Sequence, residues 1–222
     1  MVIGADGRHS MVAGAVRAQQ YNEKPPLLAS YYTYWSNLPM NGRFETYIRS
    51  GTGFAAAPTH DGLTMVVLGW PYADFEANKR DVEGNYMQVI GLAPAFAERV
   101  RAAKREAPIA GAFVPNFFRK PFGPGWALVG DAGYNKDPIT AQGITDAFRD
   151  AELCAAAIDE SLSAGRPWDE AMGHYQRTRD EHVLPMYDFT CQLARLEPPP
   201  PRMQQLFAAI PATRRQWTAS AG

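Results

Sequence analysis

Apolar residues along this chain fall into two patterns: short unbroken runs near residues 1 and 127, and alternating segments between about 28 and 70. The run Ala127-Leu128-Val129 is too short and too evenly apolar for a half-solvated strand. It is expected as a buried parallel strand ending at Gly130. Met1-Val2-Ile3-Gly4-Ala5 has the same character and leads into an Asp6-Gly7 turn and a short helix from Ser10 to about Arg17, with Ser10 as its cap. From about Lys24 the pattern becomes strand-like. Leu28 to Leu38 is rich in aromatics, and Asn41-Gly42 is a strong hairpin signal. Arg43 to Arg49 then alternates, with Phe44, Thr46 and Ile48 on one face and Glu45, Tyr47 and Arg49 on the other. Gly53 to Pro58 and Leu63 to Trp70 flank a turn at Asp61-Gly62, giving an antiparallel sheet of four or more strands.

Helical spacing follows. Asp74 is placed to cap a helix running to about Ile90, a second helix spans Pro94 to Ala103, and Ile109 to Arg119 returns as a strand. After Pro138 a long helix is expected from near Thr140. Ile144, Phe148, Ala151, Ala155 and Ile158 would form its packing face, with Asp146, Arg149, Asp150, Glu152 and Asp159 largely elsewhere. Pro167 is suited to open another helix, with Trp168, Ala171, Met172 and Tyr175 packing and Pro185 kinking or ending it. A helix over Met186 to Leu196, a stiff spacer at Pro198 to Pro201 and a docking helix from Met203 to Ile210 complete the chain. The fold class is α/β of mixed α+β character. Residues 1–23 and 120–165 form one split domain, 24–119 an inserted antiparallel sheet domain, and 166–222 a C-terminal helical region.

Composition narrows the function classes. With 222 residues, 46% hydrophobic and a formal charge of −1, this is an ordinary soluble globular composition, without the basic excess that nucleic-acid binding would require. No apolar run approaches the roughly 20 residues needed to span a bilayer. Asp6 and Arg8 stand where a signal peptide needs an apolar core, so a cytoplasmic location is expected. Cys154 and Cys191 read as packed thiols rather than a disulfide. His174 and His182 share a helix face but lack a further ligand one turn away, so no metal site is expected.

The chemistry concentrates after Leu128. Asp131 sits at the carboxyl end of a predicted parallel strand, the edge where open α/β sheets bind ligands and where a carboxylate can accept from a sugar hydroxyl. Gly143, in the first turn of the following helix, costs about 1 kcal/mol relative to Ala. It makes sense if a ligand approaches the backbone, because a helix N-terminus offers free N–H groups and a positive dipole end. The pattern alone fits equally an ordinary strand, turn and helix.

Gly130-Asp131-Ala132, Asp137-Pro138, Gln142-Gly143-Ile144, Ala147-Phe148 and Asp150-Ala151 resemble the second flavin-binding motif of FAD-dependent monooxygenases of the para-hydroxybenzoate hydroxylase group. Gly4-Ala5-Asp6-Gly7-Arg8-His9-Ser10 resembles the Asp-Gly motif of the same family. The resemblance implies a partial FAD-binding domain carrying an inserted substrate domain. It also implies FAD as cofactor, NADPH or NADH as reductant, and hydroxylation of an aromatic or polyketide-like small molecule. It places Asp6 and Gly7 near the ribityl and pyrophosphate region, Asp131 at the ribityl chain or a ribose hydroxyl, and Gly130 and Ala132 among the cofactor-binding residues. Pro138 and Gln142-Gly143-Ile144 would lie beside the isoalloxazine. Tyr47, Arg49 and Trp70 are candidate walls of the substrate cavity, against a competing reading as plain sheet packing. No catalytic side chain is named, since the acid–base residues of this group lie in the variable sheet.

One departure stands out: the sequence contains no G-x-G-x-x-G. Losing three or four phosphate contacts of about 1 to 2 kcal/mol each would lower FAD affinity by a few powers of ten. The chain is therefore expected to begin in the middle of a domain. Its open edge at Met1 to Ala5 would be covered by a complementing N-terminal half or by homo-oligomerisation. The alternatives are a non-catalytic remnant, or another flavin oxidoreductase such as a halogenase, whose W-x-W-x-I segment is missing here, or a prenyl-chain reductase.

Overall fold

The computed structural model describes residues 1–49, 51–198, 201–202 and 204–206. Its strands are β1 (Val2–Gly4), β2 (Gln20–Lys24), β3 (Leu28–Ser36), β4 (Glu45–Arg49), β5 (Thr52–Pro58), β6 (Thr64–Pro71), β7 (Lys104–Arg105), β8 (Ala110–Phe113), β9 (Asn116–Arg119), β10 (Phe122–Gly123), β11 (Trp126–Leu128) and β12 (Tyr134–Asn135). The helices are α1 (Met11–Ala15), α2 (Phe75–Asn78), α3 (Val82–Gly91), α4 (Pro94–Ala102), α5 (Gly143–Ser163) and α6 (Trp168–Leu193). The class is mixed α/β. The expected spacer at 198–201 and docking helix at 203–210 lie largely outside the described residues. Among the described residues no helix is long and apolar enough to cross a membrane.

The large antiparallel sheet runs β4-β5-β6-β3-β7, with β8 also paired to β3. Helices α2 to α4 cover one face. Tyr86 donates to the carbonyl of Val66 at 2.8 Å, and Phe96 packs against Tyr47 and Phe54. Asp81, not Asp74, caps α3, accepting from the amide of Gly84 at 2.8 Å. Asp61-Gly62 joins β5 to β6 as a hairpin. Asn41-Gly42 does form a turn, with φ of 51° and 71°, but β3 pairs with β6 and β4 with β5. The reason is packing: Leu38 and Met40 are buried, so this connection carries the chain across the sheet rather than folding it back. In β4 it is Tyr47 that faces the core, while Ile48, like Phe44 just before the strand, faces solvent.

At Val114-Pro115 the chain leaves the large sheet. The single strand expected from Ile109 to Arg119 is two strands, since β8 pairs with β3 while β9 pairs with β2 and β12. A proline has no N–H for a sheet ladder, which suits it to this break. The third sheet is β1-β11-β10, with β1 and β11 parallel and in the register Val2 to Trp126, Ile3 to Ala127 and Gly4 to Leu128. Helix α1 packs on one of its faces through Ala13, Leu128 and Ala132. The other face, through Phe122, Ala127 and Val129, meets Cys154 and Ala157 of α5 and Ala171, Met172 and Tyr175 of α6.

Two helices depart from expectation. Helix α6 continues through Pro185. Pro185 is exposed, so the carbonyl it leaves unbonded can be hydrated. Helix α5 is turned about its axis: Asp146, Asp150, Cys154 and Ala157 are buried, while Ile144 and Phe148 are 77% and 75% exposed.

This inversion gives a test. Phe118 is fully buried, stacked on Tyr134 at 5.1 Å and edge-on to Tyr187 at 4.8 Å, and it ties the small sheet to α6. Phe118→Ala should cost about 3 to 5 kcal/mol in denaturant unfolding. Phe148→Ala should stay within about 0.5 kcal/mol of the parent.

Candidate functional site

The parallel register of β1 and β11 brings both acidic loops to one edge. Val129 donates to the carbonyl of Gly4 at 2.9 Å, so the strands end level, with Asp6-Gly7-Arg8 after one and Gly130-Asp131 after the other. Gly4 is required by contact, since a Cβ there would lie 2.7 Å from the Leu128 side chain and 2.9 Å from Val12. Gly130 is required by conformation, at φ +56° with a Cβ position 3.0 Å from Ala147.

Between these loops and the start of α5 lies a cavity of about 320 Å³. It is lined by Arg8, Val114, Gly130, Asp131, Tyr134 to Pro138, and Ala141 to Gly143, with Asp146. Its floor is the N-terminus of α5. Gln142 gives that end no side-chain cap, and nothing lies within 4 Å of where a Gly143 Cβ would be. The first amides of a helix of 21 residues therefore open onto the cavity. Pro138 to Thr140 form one 3-10 turn, capped by the Asp137 side chain, and Ala141 in the left-handed region at φ 52° swings the chain into α5. A shallower hollow of about 440 Å³ beside Pro25, Pro26 and Phe117 offers no comparable donor array.

Of the residues singled out by motif, Gly130, Asp131, Pro138, Gln142 and Gly143 line this cavity. Ala132 is buried beneath it against α1, and its carbonyl accepts from Arg119 at 2.9 Å. Ile144 points to solvent. Asp6 accepts from the amides of Met11 and Val12 at 2.8 and 3.2 Å, and Gly7, at φ +78°, shapes the turn. A hydrogen bond with Ser10 leads the effects holding the Asp6 pKa below the ordinary aspartate value. Tyr47 stacks on Phe54 at 4.4 Å and donates to Glu45 at 2.6 Å. Arg49 donates to the carbonyl of Leu92 at 3.1 Å, and Trp70 stacks on Tyr31 at 4.8 Å. These three serve the large sheet and its helical cover, not the cavity. Val114 is where the large sheet's end reaches the cavity.

Of the other lining residues, Arg8 and Asp137 fall inside the quoted motifs without an assigned role, and Lys136 and Asp146 carry no motif signal. Arg8 reaches the end of β8 in the large sheet, donating to the carbonyl of Phe113 at 3.1 Å. Lys136, almost wholly buried, is ion-paired to Asp146, which also receives Arg149 at 2.7 Å. Burial works to raise the pKa of Asp146, but Lys136, Tyr134 and Arg149 outweigh it and hold the carboxyl below its ordinary range. Asp131 is raised, chiefly by burial, against the pull of Arg8. Asp150, fully buried with neither oxygen hydrogen-bonded, is pushed up to about 6 by burial, despite Arg179 and Arg149 nearby.

Asp137 supplies a pH test. It is buried; one oxygen accepts from the amide of Ile139 at 3.0 Å, the other has no partner, and burial pushes its pKa up to about 6 from 3.8. A carboxyl raised in the folded state stabilises fully below the unfolded pKa, and that contribution is lost as pH rises toward 6. Asp137→Asn keeps the cap and removes the titration. It should be more stable than the parent at pH 8 by on the order of 1 to 3 kcal/mol, with the gap closing near pH 4, as read by thermal unfolding across pH.

No protein-family model matches the sequence, and no curated protein matches it. Solved structures do. The myxobacterial chondrochloren halogenase CndH, described as a variant of FAD-dependent halogenases, aligns over 96% of this chain and 54% of its own, at 22% identity and a TM-score of 0.74. PqsL of Pseudomonas aeruginosa, solved with 2-aminobenzoylacetate, aligns over 87% of this chain and 55% of its own, at 22% identity and 0.70. HpxO of Klebsiella pneumoniae, solved with FAD and uric acid, aligns over 92% and 54%, at 17% identity and 0.69. The chain thus has the fold of FAD-dependent monooxygenases and halogenases, and it spans about half the length of these structures, 54 to 55% of each.

Proposed function

We propose that this chain forms the flavin-cradling part of an FAD-dependent monooxygenase that draws electrons from NADPH or NADH and hydroxylates an aromatic or polyketide-like small molecule. The observation that carries the reading is the cavity itself: a carboxylate at a parallel-strand tip faces the uncapped N-terminus of α5 across open space beside Gly143. That donor and acceptor set suits a molecule with a polyhydroxyl chain and an electron-rich ring edge. FAD, when bound, supplies electron transfer from the nicotinamide to oxygen. Asp131 accepts hydrogen bonds from a hydroxyl of the ribityl chain or ribose. The amides of Gly143 and Ile144, with the dipole of α5, favour negative charge at the ring edge. Arg8 adds positive charge to the same walls, while Lys136 is committed to Asp146. Tyr134 stacks on Phe118, which fixes one wall of the cavity. Substrate would approach from the end marked by Val114, where the large sheet meets the cavity. The complexes of PqsL with 2-aminobenzoylacetate and of HpxO with FAD and uric acid support this reading. The likeness to CndH supports a halogenase as the rival, separable by whether product carries oxygen or halogen.

FAD titrated into the protein and followed by flavin fluorescence tests the cradle. Asp131→Ala should weaken binding about ten- to a hundredfold, the loss of a charge-assisted hydrogen bond. Because the carboxylate form is the acceptor and its pKa is raised, parent affinity should decline with falling pH sooner than an ordinary aspartate would allow. Equal binding by parent and variant at every pH would refute the role of Asp131.

A further inference from the structure

Strand β4 ends the large sheet, and among the described residues nothing pairs with its far side. Sheets usually guard such an edge with a bulge, a proline or a row of charges. Here the pairing with β5 runs unbroken from Glu45 to Arg49, and the side chains on the uncovered face, Thr46 and Ile48, are exposed and carry no charge. Phe44, just before the strand, is as exposed as Ile48, at 66%. The opposite edge is divided between β7 and β8, of two and four residues. Backbone direction decides which groups of β4 are free. The carbonyl of Tyr47 lies 3.0 Å from where a Gly53 Cβ would be, so Tyr47 turns inward to β5. Bonding alternates along an antiparallel ladder, and Thr46 and Ile48 therefore turn their N–H and C=O groups outward.

We propose that β4 is a self-complementary edge, through which two copies of this chain pair antiparallel about a two-fold axis at Tyr47. In that register Thr46 of each copy stands opposite Ile48 of the other, and their outward groups exchange backbone hydrogen bonds. Glu45 of each copy stands opposite Arg49 of the other, a pairing that the two-fold axis repeats. Charge selects this register, since opposite charges across strands stabilise and like charges repel. Sliding two residues one way sets Arg43 against Arg49 at both ends, and sliding the other way leaves Glu45 facing Gly51. Glu45 is already held in place by Arg99 at 2.9 Å and Tyr47 at 2.6 Å. Arg49 donates to the carbonyls of Leu92 and Ile48, which leaves other N–H groups of its guanidinium for the second copy. On the uncovered face Phe44 lies diagonal to Ile48 of the other copy, within reach of an aromatic ring. A sheet five strands wide becomes one of about ten, near the limit for an open twisted sheet. The proposal does not depend on the flavin reading, because strand pairing needs no cofactor.

The oligomeric state of the full chain, followed by analytical ultracentrifugation across a range of concentrations, tests it. The parent should be a reversible dimer. Thr46→Pro removes an outward N–H and spares the bonds to β5, so it should keep the circular dichroism of the parent while raising the dimer dissociation constant by at least about tenfold. Glu45→Arg and Arg49→Glu should each be monomeric alone, because each sets like charges face to face twice. Mixed, they should form a one-to-one heterodimer in which both opposite-charge pairs are restored. If Glu45→Arg loses its fold together with the Arg99 bond, Thr46→Pro and Arg49→Glu decide the matter by themselves. A monomeric parent would overturn the proposal. So would association without a defined stoichiometry, a dimer indifferent to Thr46→Pro or Arg49→Glu, or two folded charge variants that fail to pair.

Discussion

Everything at the candidate site depends on a parallel pairing only three residues long. Because β1 and β11 run side by side in register, the loops that follow them emerge at one sheet edge, and the Asp6 and Asp131 motifs, more than a hundred positions apart in sequence, become neighbours. A slip by one residue would exchange the faces of β1 and turn Ile3 from the α5 layer to the α1 layer. So short a ladder does not hold itself. It is held by burial on both faces: Leu128 against α1 on one side, Ala127 and Val129 against α5 and α6 on the other. Gly4 fits this arrangement because α1 and β11 close on it from both sides.

The second constraint is the charged inner face of α5. Asp146 and Asp150 lie one turn apart beneath the Gly130–Asp137 loop, with Lys136, Arg149 and Arg179 as the nearby cations and Asp137 as a third buried acid. Hydrogen bonding among these groups is uneven. Asp146 is doubly paired and stays ionised easily, while Asp150 and one oxygen of Asp137 have no partner and are raised by burial. Buried pairs of this kind add little net stability but are costly to break singly. Their consequence here is positional: Lys136 bound to Asp146 fixes the cavity loop onto the helix whose N-terminus forms the floor.

How much of this could be read from the chain depends on whether the signal is local. The parallel strand at 126–128, the Asp-Gly turns, the sheet segments between 28 and 71 and the cavity positions Gly130, Asp131, Pro138, Gln142 and Gly143 all announce themselves through short-range pattern. What failed was long-range. The turn at Asn41-Gly42 has hairpin geometry, yet Leu38 and Met40 prefer the core, so pairing followed burial rather than turn type. Helix α5 has a clean apolar stripe, but its other face meets buried cations from a loop and from α6, partners that periodicity within one helix cannot register. Lys136 was invisible for the same reason, since it matters through a contact made elsewhere in the fold, and Arg8, although inside the Asp-Gly motif, reaches its partner in the large sheet.

The cavity's size carries the last step. At about 320 Å³ it sits at the low end of small-molecule pockets, roughly 300 to 1,000 Å³, room for a fused ring system and not for a whole dinucleotide. Asp6, at the same edge, is already engaged in holding the first turn of α1, so it does not extend the walls.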